Sequence, residues 1–536
     1  MAGEFFSYLG RHLPQHCASD EFYFLPRSEA ATEHLAVLDE LTPGKVQEHI
    51  RHVKHLLREI ASERPVALEA QIDRLFLMQS MQSFIREFED AKVWQRDPTL
   101  YVKIPLFATD QVISRRDDPS DQLRRKLSSL FEQIPSFLGV AVQNLRDLSE
   151  ISLGVACAMA QDAIHFFSRD IPAFIEERLG GDEGLVSKNR AVVEAWERYR
   201  RRLLEKPAVA PPAVGESGLQ KIISLSLGYP RSPQEIVEVA KEAYEKTGEK
   251  MRALAAKIDS RKSWHRIIYE RLPSAMSPEE LMQLYVKEVE GLRRFFYTRD
   301  VITFPPEEKV TVVETPSYLR SLRATASYRA PLTGRKGGNG IFYVTPGKED
   351  LGLISSHCPY LSAHETYPGH HILDHLRIHH PNPVRRQIES PLFYEGWACY
   401  AEQLLDELGY IQDLRQQLVQ LKRQLWRCLR AVLDVELQTG KVSLSQGAEK
   451  IRALGFSSKR AQRQIRRFYL SPGYQLCYFM GAYEILQLRK QFSSQIGLKT
   501  FHDTLLGGGQ IPFHLVEKRL KAFTVTQQGN QGSSEG

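Results

Sequence analysis

Ser356–Leu373, SHCPYLSAHETYPGHHIL, is the stretch on which the reading of this 536-residue chain turns. With His375 just beyond, it holds five of the chain's 17 histidines. His364 and Glu365 form an HE pair of the kind zinc hydrolases use, an imidazole nitrogen for the metal beside a carboxylate that works on a metal-activated water. The usual second imidazole lies one helical turn on. Here that position is Pro368, and the next histidines are His370 and His371. On an unbroken helix, six or seven residues would hold the two Cα atoms roughly 9–10 Å apart along the axis, whereas zinc takes nitrogens at about 2.0–2.1 Å. Pro368 removes a helical N–H and clashes with the carbonyl of His364, and Gly369 can adopt positive φ. The helix is therefore expected to break and carry the late histidine back toward His364.

A catalytic zinc needs a third protein ligand. Phe393–Leu404, FYEGWACYAEQL, offers Glu395 at the head of an apolar-periodic helix, 31 positions beyond His364, 25 beyond His370 and 24 beyond His371. That interval lets a second helix turn back over the first. Glu402 shares the helical face of Glu395 and is expected to be a solvated surface residue rather than a group that orients a histidine.

Outward from this centre the chain reads as helical. Apolar residues recur at three- and four-residue steps from about Ser28 to Arg202. SPQE at Ser232 and SPEE at Ser277 are capping boxes with proline at the first helical position. KPAVAPPAVGES, 206–217, reads as a linker or surface loop between an N-terminal helical lobe, 1–205, and a catalytic lobe, 218–524. Three β-branched or aromatic runs between 310 and 345 (Val310–Glu314, Arg323–Ala330 and Ile341–Thr345) predict a small antiparallel sheet beside the active-site helix. Residues 525–536 read as a disordered tail. The expected fold is predominantly α, two helical lobes around a cleft.

Composition excludes several classes. Apolar residues make up 42% and charged residues 25%, as in ordinary globular chains. The net charge of +6 is a small excess among scattered charges, which gives no nucleic-acid-binding tract. Six cysteines without a CxxC pair, and a start without a secretion signal, lead to the expectation of a cytoplasmic protein with reduced thiols. No membrane partner is expected, and the oligomeric state is not legible.

Four separated motifs carry a resemblance. HETYPGHH, EGWACYAEQL, PGYQLCYFMGAYEILQLR and FHDTLLGGGQIPF, with the Trp94–Tyr101 segment and the sheet, resemble the bacterial proteins grouped as domain of unknown function 885. That family is in turn similar to glutamate-type zinc peptidases such as angiotensin-converting enzyme, thimet oligopeptidase and the Taq-type carboxypeptidase. The resemblance implies a helical two-lobed shell around one catalytic zinc, with manganese or cobalt also compatible with the donors. It implies ligands His364, Glu395 and one of His370 or His371, the interval in the angiotensin-converting type favouring His371. Glu365 would be the general base, and Tyr478 would match the tyrosine that donates to the developing oxyanion. Tyr474 stands where the family usually has Gln, and Leu373 where it often has Gln.

Candidate substrate contacts are Tyr343, on a strand able to take up an extended peptide at a sheet edge, Tyr474, and the arginines Arg320, Arg323, Arg467 and Arg489 as grips for a carboxylate. The expected activity is cleavage of short peptides, as a dipeptidase, carboxypeptidase or oligopeptidase. Two rivals are a hydrolase of a modified amino-acid amide and a catalytically inactive helical protein that keeps the metal.

Overall fold

Serine caps open helices where the sequence places them. In a computed structural model, which describes residues 1–114, 118–209, 214–270, 276–320, 326–332, 339–345 and 351–532, Ser232 and Glu235 cap the Pro233–Ile258 helix reciprocally, as Ser277 and Glu280 cap Pro278–Arg299. Each pair satisfies two backbone N–H groups that a helix start leaves orphaned. The fold is predominantly α, as expected.

In the first part, long amphipathic helices such as Pro43–Ser62, Ser120–Asn144 and Glu183–Leu204 pack pairwise. The helical run Glu150–Leu179 is long and apolar enough to cross a membrane by composition; 44% of its most apolar window is buried within the protein. One apolar core runs through both halves of the chain, from Phe5 to Leu520. A second, around Met251, Leu433 and Phe468, joins the Pro233–Ile258, Leu414–Gln438 and Ser458–Leu470 helices.

Two expectations change. In the 206–217 stretch, Ala208–Val209 forms a short strand, β2, pairing in parallel with β1 (Leu148–Ser149), and the Lys206 ammonium donates to the carbonyls of Val142 and Leu145. The last helix, Phe513–Gly532, runs through residues read as a disordered tail.

The small sheet is present with a different topology. Strands β3 (Val310–Glu314), β4 (Ala326–Arg329) and β5 (Gly340–Val344) take the order β3-β5-β4; β5 pairs in parallel with β3 and antiparallel with β4. The sheet is mixed, and β5 is its centre. Both edges of β5 are thus already used, so the strand carrying Tyr343 has no edge to offer a peptide. Alternation along β5 sends Phe342 and Val344 into the main core and Tyr343 to the opposite face, against Phe107 and Leu319. Tyr343 is a buried packing residue, 4% exposed.

The motif helix, Leu351–Glu365, lies against β4, the Pro278–Arg299 helix, the glutamate helix (Pro391–Glu407) and the Leu414–Gln438 helix. Its apolar residues Cys358, Tyr360 and Ala363 have no exposure.

Candidate metal centre

The break after Glu365 builds the site. The amide of Thr366 makes the last helical bond, to Ser362, at 2.8 Å, and the chain re-enters a helix at His370–Ile378. Gly369 has φ −72°, so its permissive backbone is not what the turn requires. Space is: a Cβ there would lie 2.0 Å from the carbonyl oxygen of His364 and 2.3 Å from that of Ala363. The glycine lets the chain double back onto its own helix, and the ring centroids of His364 and His370 come within 4.7 Å.

The glutamate helix supplies the third group. Trp397 fixes it to the break by donating from Nε1 to the carbonyl of Pro368, at 2.7 Å. It crosses the Cys477–Ile496 helix, here the tyrosine helix, backbone against backbone: a Cβ on Gly396 would meet the Gly481 carbonyl carbon at 2.4 Å, and one on Gly481 the Leu392 oxygen at 2.0 Å. That closeness brings Tyr474 and Tyr478 to Glu395. The Tyr474 hydroxyl donates to Glu395 Oε1 at 2.6 Å, which turns Oε2 the other way.

Oε2 of Glu395 is buried without a hydrogen-bond partner and faces His364 Nε2 at 3.4 Å and His370 Nε2 at 3.7 Å. Ligand atoms of these three residues all lie within 4.8 Å of one another. Donors about 2.0–2.1 Å from a tetrahedral ion sit about 3.3–3.5 Å apart. Two neutral-capable imidazoles and one carboxylate at this spacing fit a divalent cation.

His370 is thus the second imidazole, and the expectation leaning to His371 is corrected. His370 opens its helix and points back across the break. The next residue lies about 100° further round, and both its nitrogens are engaged: the Tyr328 hydroxyl donates to Nδ1 at 3.2 Å, and Nε2 donates to Glu308 at 2.9 Å. Glu308, also bound by Tyr367 and Arg293, is a buried anchor that the sequence did not single out.

Glu402 is likewise corrected from surface residue to buried carboxylate, with no exposure. Its Oε1 lies 2.8 Å from His364 Nδ1, and Arg423 and Arg427 hold it from the Leu414–Gln438 helix. Burial opposes its charge, but Arg423 and Arg427 keep its carboxyl well below the usual range. Burial also opposes the charge of His364, yet its contacts with Cys399, Glu395 and Glu402 raise it well above an ordinary imidazole. The pocket between the two carboxylates favours positive charge. His370, buried and next to His364, is pushed down to about 3 and stays neutral.

Glu365 stands beside this cluster. Burial, and after it the charge of Glu395, pushes it up to about 7, against His364 and the backbone N–H of Tyr328, which donates to it at 2.8 Å. That N–H belongs to β4, so the strand next to the site is β4 rather than β5. Tyr478 is half-buried, its ring parallel to that of His364 at 6.3 Å, and burial together with Glu395 keeps its phenol protonated.

The arginines divide. Arg320 is exposed and pairs with Glu314 at 2.6 Å; Arg489 pairs with Glu407 at 2.6 Å over the Tyr400 ring. Neither is brought to the centre, because each is held by a carboxylate of its own. Arg323 lies outside the described residues. Arg467 reaches the tyrosine wall through Tyr23. Tyr23, which stacks on Tyr474 at 4.1 Å, and Arg430, 3.5 Å over the Tyr478 ring, had no motif to reveal them.

A helical shell around one buried two-histidine, one-glutamate centre is the class of site these elements make. The chain belongs to the bacterial protein family of unknown function DUF885, which it matches over residues 29–520. No protein of curated function matches it. Among solved structures it resembles a "putative lipoprotein" of Colwellia psychrerythraea, with a TM-score of 0.82 at 17% identity over 98% of this chain and 99% of that one. It also resembles a "putative lipoprotein of unknown function" of Shewanella oneidensis, with a TM-score of 0.73 at 19% identity over 90% and 94%. These likenesses establish the fold.

Proposed function

We propose that this protein is a zinc-dependent hydrolase that cleaves peptide bonds in short peptides. The observation that carries the proposal is the unpartnered Oε2 of Glu395 facing the Nε2 atoms of His364 and His370, with Glu365 adjoining. Bound zinc would supply Lewis acidity toward a carbonyl and a water.

The chain's own groups perform the rest. Glu365, whose carboxyl burial raises above the usual carboxylate range, is placed to take a proton from the attacking water and return it to the leaving amine. Tyr478 keeps its proton and donates to the oxygen on which negative charge develops. Tyr474 holds Glu395 in the orientation that presents Oε2. Glu402, Arg423 and Arg427 hold His364 with Nε2 toward the centre.

The test is metal analysis followed by peptide turnover. Protein purified without chelator is expected to carry about one zinc per chain. Glu365→Gln is expected to keep zinc and lose hydrolysis of a di- and oligopeptide library by about 10²–10⁴-fold. Folded protein that takes up no zinc, or full activity in Glu365→Gln, refutes the reading.

A further inference from the structure

Beside the tyrosines of the centre stands a guanidinium with no ion pair. The Ser458–Leu470 helix carries Lys459, Arg460, Arg463, Arg466 and Arg467 and no acidic residue. Arg467 is exposed, yet its guanidinium lies among Tyr23, Tyr474 and Tyr478, as on the wall of a cleft. Its hydrogen-bonding neighbour is the Tyr23 phenol. Among the described residues no carboxylate is within ion-pair distance of Arg467, although Glu21 is near enough to be felt. Arg430, on the other side of Tyr478, also lacks an ion pair there; it donates to Gln475 Oε1 at 2.6 Å and 3.1 Å. Its neighbour Asp434 is occupied by the backbone N–H groups of Gly473, Gln475 and Leu476.

Other arginines proposed from sequence or lying near the surface are paired with acids: Arg320 with Glu314, Arg489 with Glu407, Arg386 with Glu29. Two guanidiniums without an ion pair flank one tyrosine of the centre, and a planar fork of donors beside a phenol is matched by a carboxylate arriving from outside. The route from Glu395 to Arg467 passes through the rings of Tyr474 and Tyr23, 4.1 Å apart.

We propose that Arg467, with the Tyr23 hydroxyl, seats the free C-terminal carboxylate of the substrate, so that the enzyme acts on the last residues of a short peptide. This deepens the peptidase reading and rests on it for what is cleaved. It excludes cleavage far from a carboxyl terminus and accounts for the absence of an ion pair at Arg467. Arg430 adds positive potential across Tyr478.

The experiment compares binding of acetyl-Ala-Phe and its C-terminal amide by calorimetry, in metal-free full-length protein and in the zinc-loaded Glu365→Gln variant. The free acid is expected to bind at least about tenfold more tightly than the amide in both forms, as a charge-assisted bidentate bond gives. In Arg467→Met the acid should fall to the level of the amide. Arg467→Lys should retain part of the preference, and Arg466→Met, about 100° away around the same helix, all of it. Equal binding of acid and amide overturns the proposal, as does a preference that disappears with the metal or persists in Arg467→Met. Because the metal-free readout needs no turnover, a missing peptidase activity with intact acid preference would fault the hydrolase reading alone.

Discussion

Nδ1 of His364 lies 2.8 Å from Oε1 of Glu402, a carboxylate with no exposure that is also gripped by two arginines. The pair fixes which nitrogen of His364 looks into the centre. Removing the charge at 402 therefore acts on the metal through the imidazole and on stability through the arginines. Glu402→Gln is expected to weaken zinc binding by about 10–100-fold in chelator competition. It should also lower stability by about 3–5 kcal/mol in denaturant melts, since Arg423 and Arg427 lose their buried partner.

Tyr474 and Tyr478 approach the same carboxylate and should separate in assays. Tyr474→Phe removes the donor that turns Glu395, so zinc affinity should fall about tenfold with the fold intact. Tyr478→Phe should keep zinc and KM and lower kcat by about 10²–10³-fold. The contrast is checked by measuring metal content and kcat and KM side by side.

Gly396 and Gly481 admit no side chain where their helices cross. Gly396→Ala is expected to destabilise the protein by about 1–3 kcal/mol, through overpacking that backbone on both sides cannot relieve. It should also shift Glu395 relative to the histidines. Denaturant melts and zinc titration of the variant measure the two effects.

His502 has no exposure; Nδ1 donates to the Val301 carbonyl, and the Tyr400 hydroxyl donates to Nε2, both at 2.8 Å. Burial pushes its pKa down from 6.5 to about 4. The unfolded chain thus takes a proton that the folded chain refuses. This contribution to stability is complete above pH 6.5 and is lost as pH falls toward 4, amounting to about 3 kcal/mol at most. Melting temperature against pH should show that decline, with a shallower slope in His502→Gln.

His364, Glu365 and Glu395 are legible in sequence because the chemistry fixes their residue types and spacing, and the Pro-Gly pair announces the break. The choice between His370 and His371 is not, since it depends on the backbone's rotation as the chain leaves that break. Glu402 misleads for another reason. A glutamate seven residues along a helix looks the same whether water or two arginines face it, and those arginines belong to a helix with no pattern tying it to the motif. Helix caps at Ser232 and Ser277 are local and were readable. Strand order is not local: β5 became central through pairing with β3 in parallel, which moved Tyr343 out of the site. Tyr23 meets Tyr474 from the opposite end of the chain.

The family match covers residues 29–520. Tyr23, which rests on Tyr474 and bonds Arg467, comes before that boundary. Two chains identical in every motif can therefore line this chamber differently, because one of its faces is drawn from the first thirty residues, far along the chain from the metal donors.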